Sequence, residues 1–167
     1  MRRLLLVAAV VLAGCSSPPP KPQDVKLKFD PEPHRAYFVA GNGEIRGRAF
    51  LRQPGDDDVT CDGGTVIATP ATTFFRKVLP LAANGQMPLI GEAVGPEYVY
   101  VVRQTLCDSG GNFSITGLPP GDWYVAAPVY WTVRQITHGG LLVYKVRLRN
   151  KETAQIVMTD RDMELPR

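Results

Sequence analysis

The chain has 167 residues, carries 19 Lys and Arg against 16 Asp and Glu, and is 44% apolar. That length supports one domain with a sizeable core. The near balance of charge argues against nucleic acid as a partner, and only two histidines leave little material for a metal site or for acid–base chemistry.

In chain order the N-terminus speaks first. Arg2 and Arg3 precede an apolar run from Leu4 to Ala13, followed by Gly14 and Cys15. The run is too short to span a bilayer, which takes about 20 apolar residues. Its basic start and small-residue end describe a secretory signal over residues 1–14. The tetrapeptide Leu12-Ala13-Gly14-Cys15 resembles the bacterial lipobox. That resemblance implies cleavage before Cys15 and acylation of its thiol and new amino group, with palmitate among the chains. The protein is therefore expected to be lipid-anchored in a cell envelope. Ser16, standing where an Asp resembles a signal for inner-membrane retention, points to the outer membrane, facing the periplasm or the surface. Removing Arg2 and Arg3 leaves acidic and basic groups almost equal, which gives no reason to expect a second, electrostatic contact with the membrane. Residues 15–35 open with Ser16-Ser17-Pro18-Pro19-Pro20-Lys21-Pro22 and read as an extended tether, because proline fixes φ and lacks an N–H.

The domain itself is expected over residues 36–160, with 161–167 as a tail. Ile45, Gly47, Ala49 and Leu51 alternate with Glu44, Arg46, Arg48 and Arg52, the period of a half-buried strand. Thr65–Thr69 is β-branched, and Tyr98–Leu106 reads as a third strand. Phe113 and Ile115 face one way, Asn112, Ser114 and Thr116 the other. Trp123, Val125, Ala127, Val129, Trp131 and Val133 form one face of a long strand. Leu142–Leu148 and Ala154–Met158 close the set. The best helical stretch is Thr72–Leu79, one or two turns before Pro80. The pattern predicts an all-β antiparallel sandwich of about seven strands. A long insertion, Pro70 to Pro96, separates its second and third strands.

Turn chemistry supports this. Ser109-Gly110-Gly111-Asn112 predicts a hairpin turn. In Gly117-Leu118-Pro119-Pro120-Gly121 the prolines deny ladder hydrogen bonds, so the chain must leave its strand and re-enter beside it, with Leu118 plugging the core. Asp108, Gly111, Phe113, Ile115, Gly117 to Gly121, Tyr124 and Val125 together resemble the carboxypeptidase regulatory-like domains, which implies a transthyretin-like sandwich. The resemblance runs over residues 43–159. It implies fold but no ligand, because such modules occur in many envelope proteins and usually carry no chemistry of their own.

With Cys15 taken by lipid, Cys61 and Cys107 remain as a pair in an oxidising compartment, where a disulfide is the default. Neither histidine sits near a cysteine or serine in a recognisable motif, so no nucleophile is expected and no enzyme activity. No cofactor or metal is expected either: Asp56-Asp57-Asp58 lacks the spacing of a calcium loop. Two clusters remain as candidates for partner binding. Phe74, Phe75, Arg76 and Lys77 pair aromatic rings with cations inside the insertion, and Trp131 with Arg134 stand beside His138-Gly139-Gly140, whose glycines are expected to turn the chain. The expected role is a non-catalytic structural or binding module towards an envelope protein or glycan, with an accessory lipoprotein of a secretion machine as the alternative.

Overall fold

The computed structural model describes residues 27–53, 55, 57–84 and 100–163. Cys15, the tether before residue 27, the second half of the insertion and the last residues of the tail lie outside the described residues. Alternation becomes strands much as the sequence implies: β1 (Gly43–Arg52), β2 (Asp58–Thr60), β3 (Thr65–Pro70), β4 (Arg103–Leu106), β5 (Asn112–Leu118), β6 (Gly121–Val133), β7 (Ile136–Leu148) and β8 (Thr153–Met158). They form two four-stranded sheets, one with β1 between β2–β5 and β8, the other in the order β4-β3-β6-β7. The protein is an all-β sandwich. One pairing departs from antiparallel: β8 runs parallel to β1, from Glu44↔Thr153 to Ala49↔Met158.

The inner faces meet as expected. Ile45, Ala49 and Leu51 of β1 pack with Phe113, Ile115, Leu118, Trp123, Val125, Ala127, Val129, Leu142, Ile156 and Met158. Gly47 sits on this face because a Cβ there would lie 2.4 Å from the Phe113 ring. Leu118 is fully buried, closing the core as the loop sequence implies. The two prolines do something else, however: β5 and β6 belong to different sheets, so Pro119-Pro120 carry the chain across the sandwich rather than back beside β5. Trp123 fixes that corner by donating its indole N–H to the Pro119 carbonyl at 3.1 Å. The turn at Asp108–Asn112 likewise links sheets instead of closing a hairpin. There Gly111 (φ +83) donates to the Asp108 carbonyl, and Asn112 donates its backbone N–H to Asp108 Oδ1 at 2.7 Å. That bond, the largest cause, holds the Asp108 carboxyl below its ordinary range.

Cys61 and Cys107 form the disulfide, Cα to Cα 5.7 Å. Cys61 directly follows β2 and donates its N–H to the Ala49 carbonyl of β1, while Cys107 directly follows β4. The bridge thus ties the end of one sheet to the end of the other and closes the insertion at its base. A loop of this size stabilises by about 4 kcal/mol in the chain-entropy account.

Three further expectations change. Among the described residues of the expected third strand only Arg103–Leu106 form β4, and Val101 before it is buried with Phe75 and Leu79 of the helix and Tyr124, Ala126 and Val143 of the sheet. The helix is longer than the sequence suggests. It runs as α1, Thr73–Ala83, through Pro80. A proline there removes a hydrogen bond and costs about 3 kcal/mol, which the buried face of Phe75, Val78 and Leu79 offsets. Finally, the folded unit begins before residue 36. Phe29 and His34 are buried, within and just before a 3-10 turn at Glu32–Tyr37. His34 holds the segment down, its Nδ1 2.7 Å from the Asp30 carbonyl and its Nε2 2.8 Å from the Thr72 hydroxyl. Its ring meets Phe29, Phe74 and Phe75. With Tyr124, Ala126 and Val143 from the outer face of the second sheet, these residues build a second, smaller core.

Candidate functional site

The two sequence candidates end up in different surroundings. Phe75 is fully buried in the second core, and Phe74 packs against it with its ring 5.2 Å away, edge to face. Arg76 and Lys77 of that quartet are exposed, and Phe74 is half-buried, lining a surface cleft beside Lys77. The sequence misled here because helical spacing, not adjacency, decides which way each ring points.

The other candidate lies on a projecting hairpin. Strands β6 and β7 pair without interruption out to Val133↔Ile136. The turn is Arg134-Gln135, both with positive φ (48° and 68°), as a two-residue hairpin of the primed type requires. Gly139 and Gly140, expected to turn the chain, are strand residues. Gly139 (φ +94) faces Tyr130, where a Cβ would lie 2.1 Å from the Val129 carbonyl oxygen. Trp131 and His138 are cross-strand partners and stack at 5.7 Å with their planes 20° apart. Tyr130, Val133 and Ile136 are exposed around them.

Strand register places this hairpin at the same end of the sandwich as the β1–β2 hairpin: Pro128 lies against Gly64, just past the disulfide. Strand β8 stops at Met158, opposite Ala49, while β1 continues to Arg52. The missing length opens a notch of about 640 Å³ lined by Phe50, Arg52, Tyr144, Val157 and the turn Thr159–Asp162. Thr159 and Asp162 cap that turn reciprocally, the Thr159 N–H donating to Asp162 Oδ2 at 2.8 Å, so the turn's polar groups are held in place. Arg48 stacks over Phe50 at 4.4 Å and pairs with Asp58 at 3.0 Å. The notch thus joins two aromatic rings from opposite sheets with guanidinium and carboxylate groups. Sequence reading passed over it, because Tyr144 read as a core position and residues 161–167 as a tail. Among the described residues no group of three or more His, Cys, Asp or Glu is placed to hold a metal ion.

In fold the chain is similar to a candidate carbohydrate-binding protein of Pseudomonas aeruginosa, at 19% identity and a TM-score of 0.63 over 81% of this chain and 99% of that one. It also aligns with a minor pilin of Streptococcus agalactiae (14% identity, TM-score 0.38, 77% of this chain and 48% of the pilin). The major pilin subunit of Bacillus cereus aligns at 12% identity and a TM-score of 0.39, over 71% of this chain and 30% of that one. No protein-family model and no curated protein matches the sequence. At these identities the likeness is one of fold, and it is compatible with a transthyretin-like sandwich.

Proposed function

We propose that the protein is a lipid-anchored, non-catalytic module of the cell envelope that binds a glycan in the notch beside β8. The observation that carries this is the pairing of Phe50 and Tyr144 with Arg52, Arg161 and Asp160 in one concavity. Aromatic faces pack against the C–H faces of a sugar ring, while planar charged groups hydrogen-bond its hydroxyls. The fold neighbour described as a candidate carbohydrate-binding protein supports the same reading. The anchor at Cys15 rests on the sequence Leu12-Ala13-Gly14-Cys15, and acyl chains on one residue give stable attachment.

The test is retention on immobilised envelope polysaccharides and peptidoglycan, compared between wild type and Tyr144→Ala/Arg161→Ala. Wild type should be retained by at least one of these glycans. The variant should lose about tenfold or more in affinity while still folding, as shown by near-UV circular dichroism. Equal retention of both proteins would move the site away from the notch, and no retention of wild type on any glycan would end the reading.

A further inference from the structure

The two ends of the sandwich differ in charge, although the whole chain is nearly neutral. Gly121 opens β6, and Leu148 opposite it closes β7, at one end. Tyr37 packs on Gly121, and His34 is bonded to Thr72 beside the start of α1, so the N-terminal segment enters the fold here. Both hairpins lie at the other end, the tip of the β6–β7 hairpin about 40 Å away along the 13-residue β6. The notch opens between the far end of β1 and Tyr144, which pairs with Val125 part-way along β6.

Cations concentrate where the chain enters. Lys28 and Lys77 line one cleft of about 300 Å³, and Arg76 is exposed beside Lys77. Arg149 and Lys151 are exposed in the turn between β7 and β8 at the same end. The acidic groups there are fewer than the cations: Asp30 lines the same cleft, Glu32 pairs with Arg35, Glu44 with Arg46 and Asp122 with Arg147, and Glu152 accepts from the Arg149 N–H. At the far end the balance reverses. Asp57, Asp62, Asp108 and Asp160 are exposed there, with Asp58 and Asp162 beside them, against Arg48, Arg52, Arg134 and Arg161, of which Arg48 and Arg52 pair with Asp58.

We infer that the entry end is a docking surface for an anionic bilayer, so that the anchored domain stands with its notch pointing away from the lipid. The inference rests on the lipid-anchor reading for its cellular setting. The twelve residues from Cys15 to Lys26 reach at most about 40 Å, which by itself permits any orientation. Charge selects one. Each basic side chain near an anionic leaflet strengthens binding roughly fivefold, while the acidic end is repelled. Surface charges are screened beyond about 8 Å at physiological salt, so the contact is short-ranged and sensitive to ionic strength.

The experiment uses the acylated protein reconstituted into vesicles, with a dye on Thr73→Cys at the start of α1 or on Thr137→Cys near the hairpin tip. Quenching by headgroup-spin-labelled lipid is read in vesicles containing one-third phosphatidylglycerol and in pure phosphatidylcholine. In the anionic vesicles at low salt the dye at 73 should be quenched severalfold more than the dye at 137. The difference should vanish in 0.5 M NaCl, in phosphatidylcholine, and in Arg76→Glu/Lys77→Glu, whose exposed positions leave the fold intact by circular dichroism. Equal quenching of the two dyes at low salt, or a difference that survives the charge reversal, overturns the inference. Release of the protein from vesicles at high salt would instead refute the anchor, leaving the low-salt comparison to decide the docking surface.

Discussion

The outer faces of the two sheets are built from the same kind of strand and have opposite fates. On the β4-β3-β6-β7 sheet the outward residues Tyr124, Ala126 and Val143 are apolar and are covered by α1 and the segment around Phe29. On the β1–β5–β8 sheet the outward residues are Glu44, Arg46, Arg48, Ser114, Thr153 and Gln155, and nothing described covers them. Glu44 binds that face together by accepting from Arg46 at 2.7 Å, Ser114 at 2.6 Å and Thr153 at 3.3 Å. Its carboxyl is accordingly held below the ordinary range, chiefly by Arg46 and then by Ser114. The difference teaches where the insertion's energy goes. It completes a third layer over one sheet, and the polar sheet needs no cover. This is why half of the aromatic–cation cluster proved to be structure.

The hardest way to break the comparison is to uncover the apolar face. Phe75 is fully buried between α1 and the sheet. Phe75→Ala should cost about 3–5 kcal/mol, the usual range for removing a buried aromatic ring and leaving a cavity. Urea denaturation gives the value. A loss below about 1 kcal/mol would mean that α1 lies loosely on the sheet, and that the ring is available to a partner after all.

Much of this contrast was legible in the strands themselves. Strict alternation in β1 and β8 told of one wet face, and both strands behave that way. In β6 the run Trp123–Ala127 is buried at five successive positions. The apolar residues between the alternating ones were the sign of a sheet covered on both sides, a sign that reading only one face misses. The helix was legible as a start but not in length, because Pro80 is locally unfavourable and only tertiary burial carries α1 past it. The notch was not legible at all. It depends on β8 ending before β1 does and on the chain's last turn folding back, and neither leaves a mark in local periodicity.

A milder test compares the two edges in acid. Asp122 at the start of β6 is bonded by Arg147 of β7, Nε to Oδ1 at 2.6 Å and Nη2 to Oδ2 at 3.1 Å. That bond is the main cause holding its carboxyl below the ordinary range, against a smaller opposing effect of burial. A carboxyl depressed in the folded state stabilises above its unfolded pKa, near 4, and that contribution is lost as the pH falls through the lower folded value. The Asp122 side chain is 29% exposed and Arg147 77%, so screening keeps the effect under about 1 kcal/mol. Asp122→Asn should therefore be less stable than wild type at pH 7, and the gap should close as the pH falls from about 4 through the lower folded value. A gap that stayed constant across that range would assign the difference to geometry and not to charge.

The smallest expected effect is also the sharpest statement about the bare face. Gln155 stands exposed on β8, directly opposite Arg46 of β1, on the sheet that no described residues cover with a third layer. Its amide reaches water in the folded and unfolded states alike, so removing it takes away neither a buried contact nor a desolvated hydrogen bond. Gln155→Ala should shift stability by no more than about 0.5 kcal/mol in either direction, as surface substitutions away from special features do. Thermal melting of the purified domain measures this against Phe75→Ala in the same buffer. The two variants should differ by a factor of six or more, which is roughly the ratio of the two ranges given above. If Gln155→Ala instead lost 1 kcal/mol or more, the polar sheet face would be a covered face. The contrast between the two sheets would then reduce to one of composition alone.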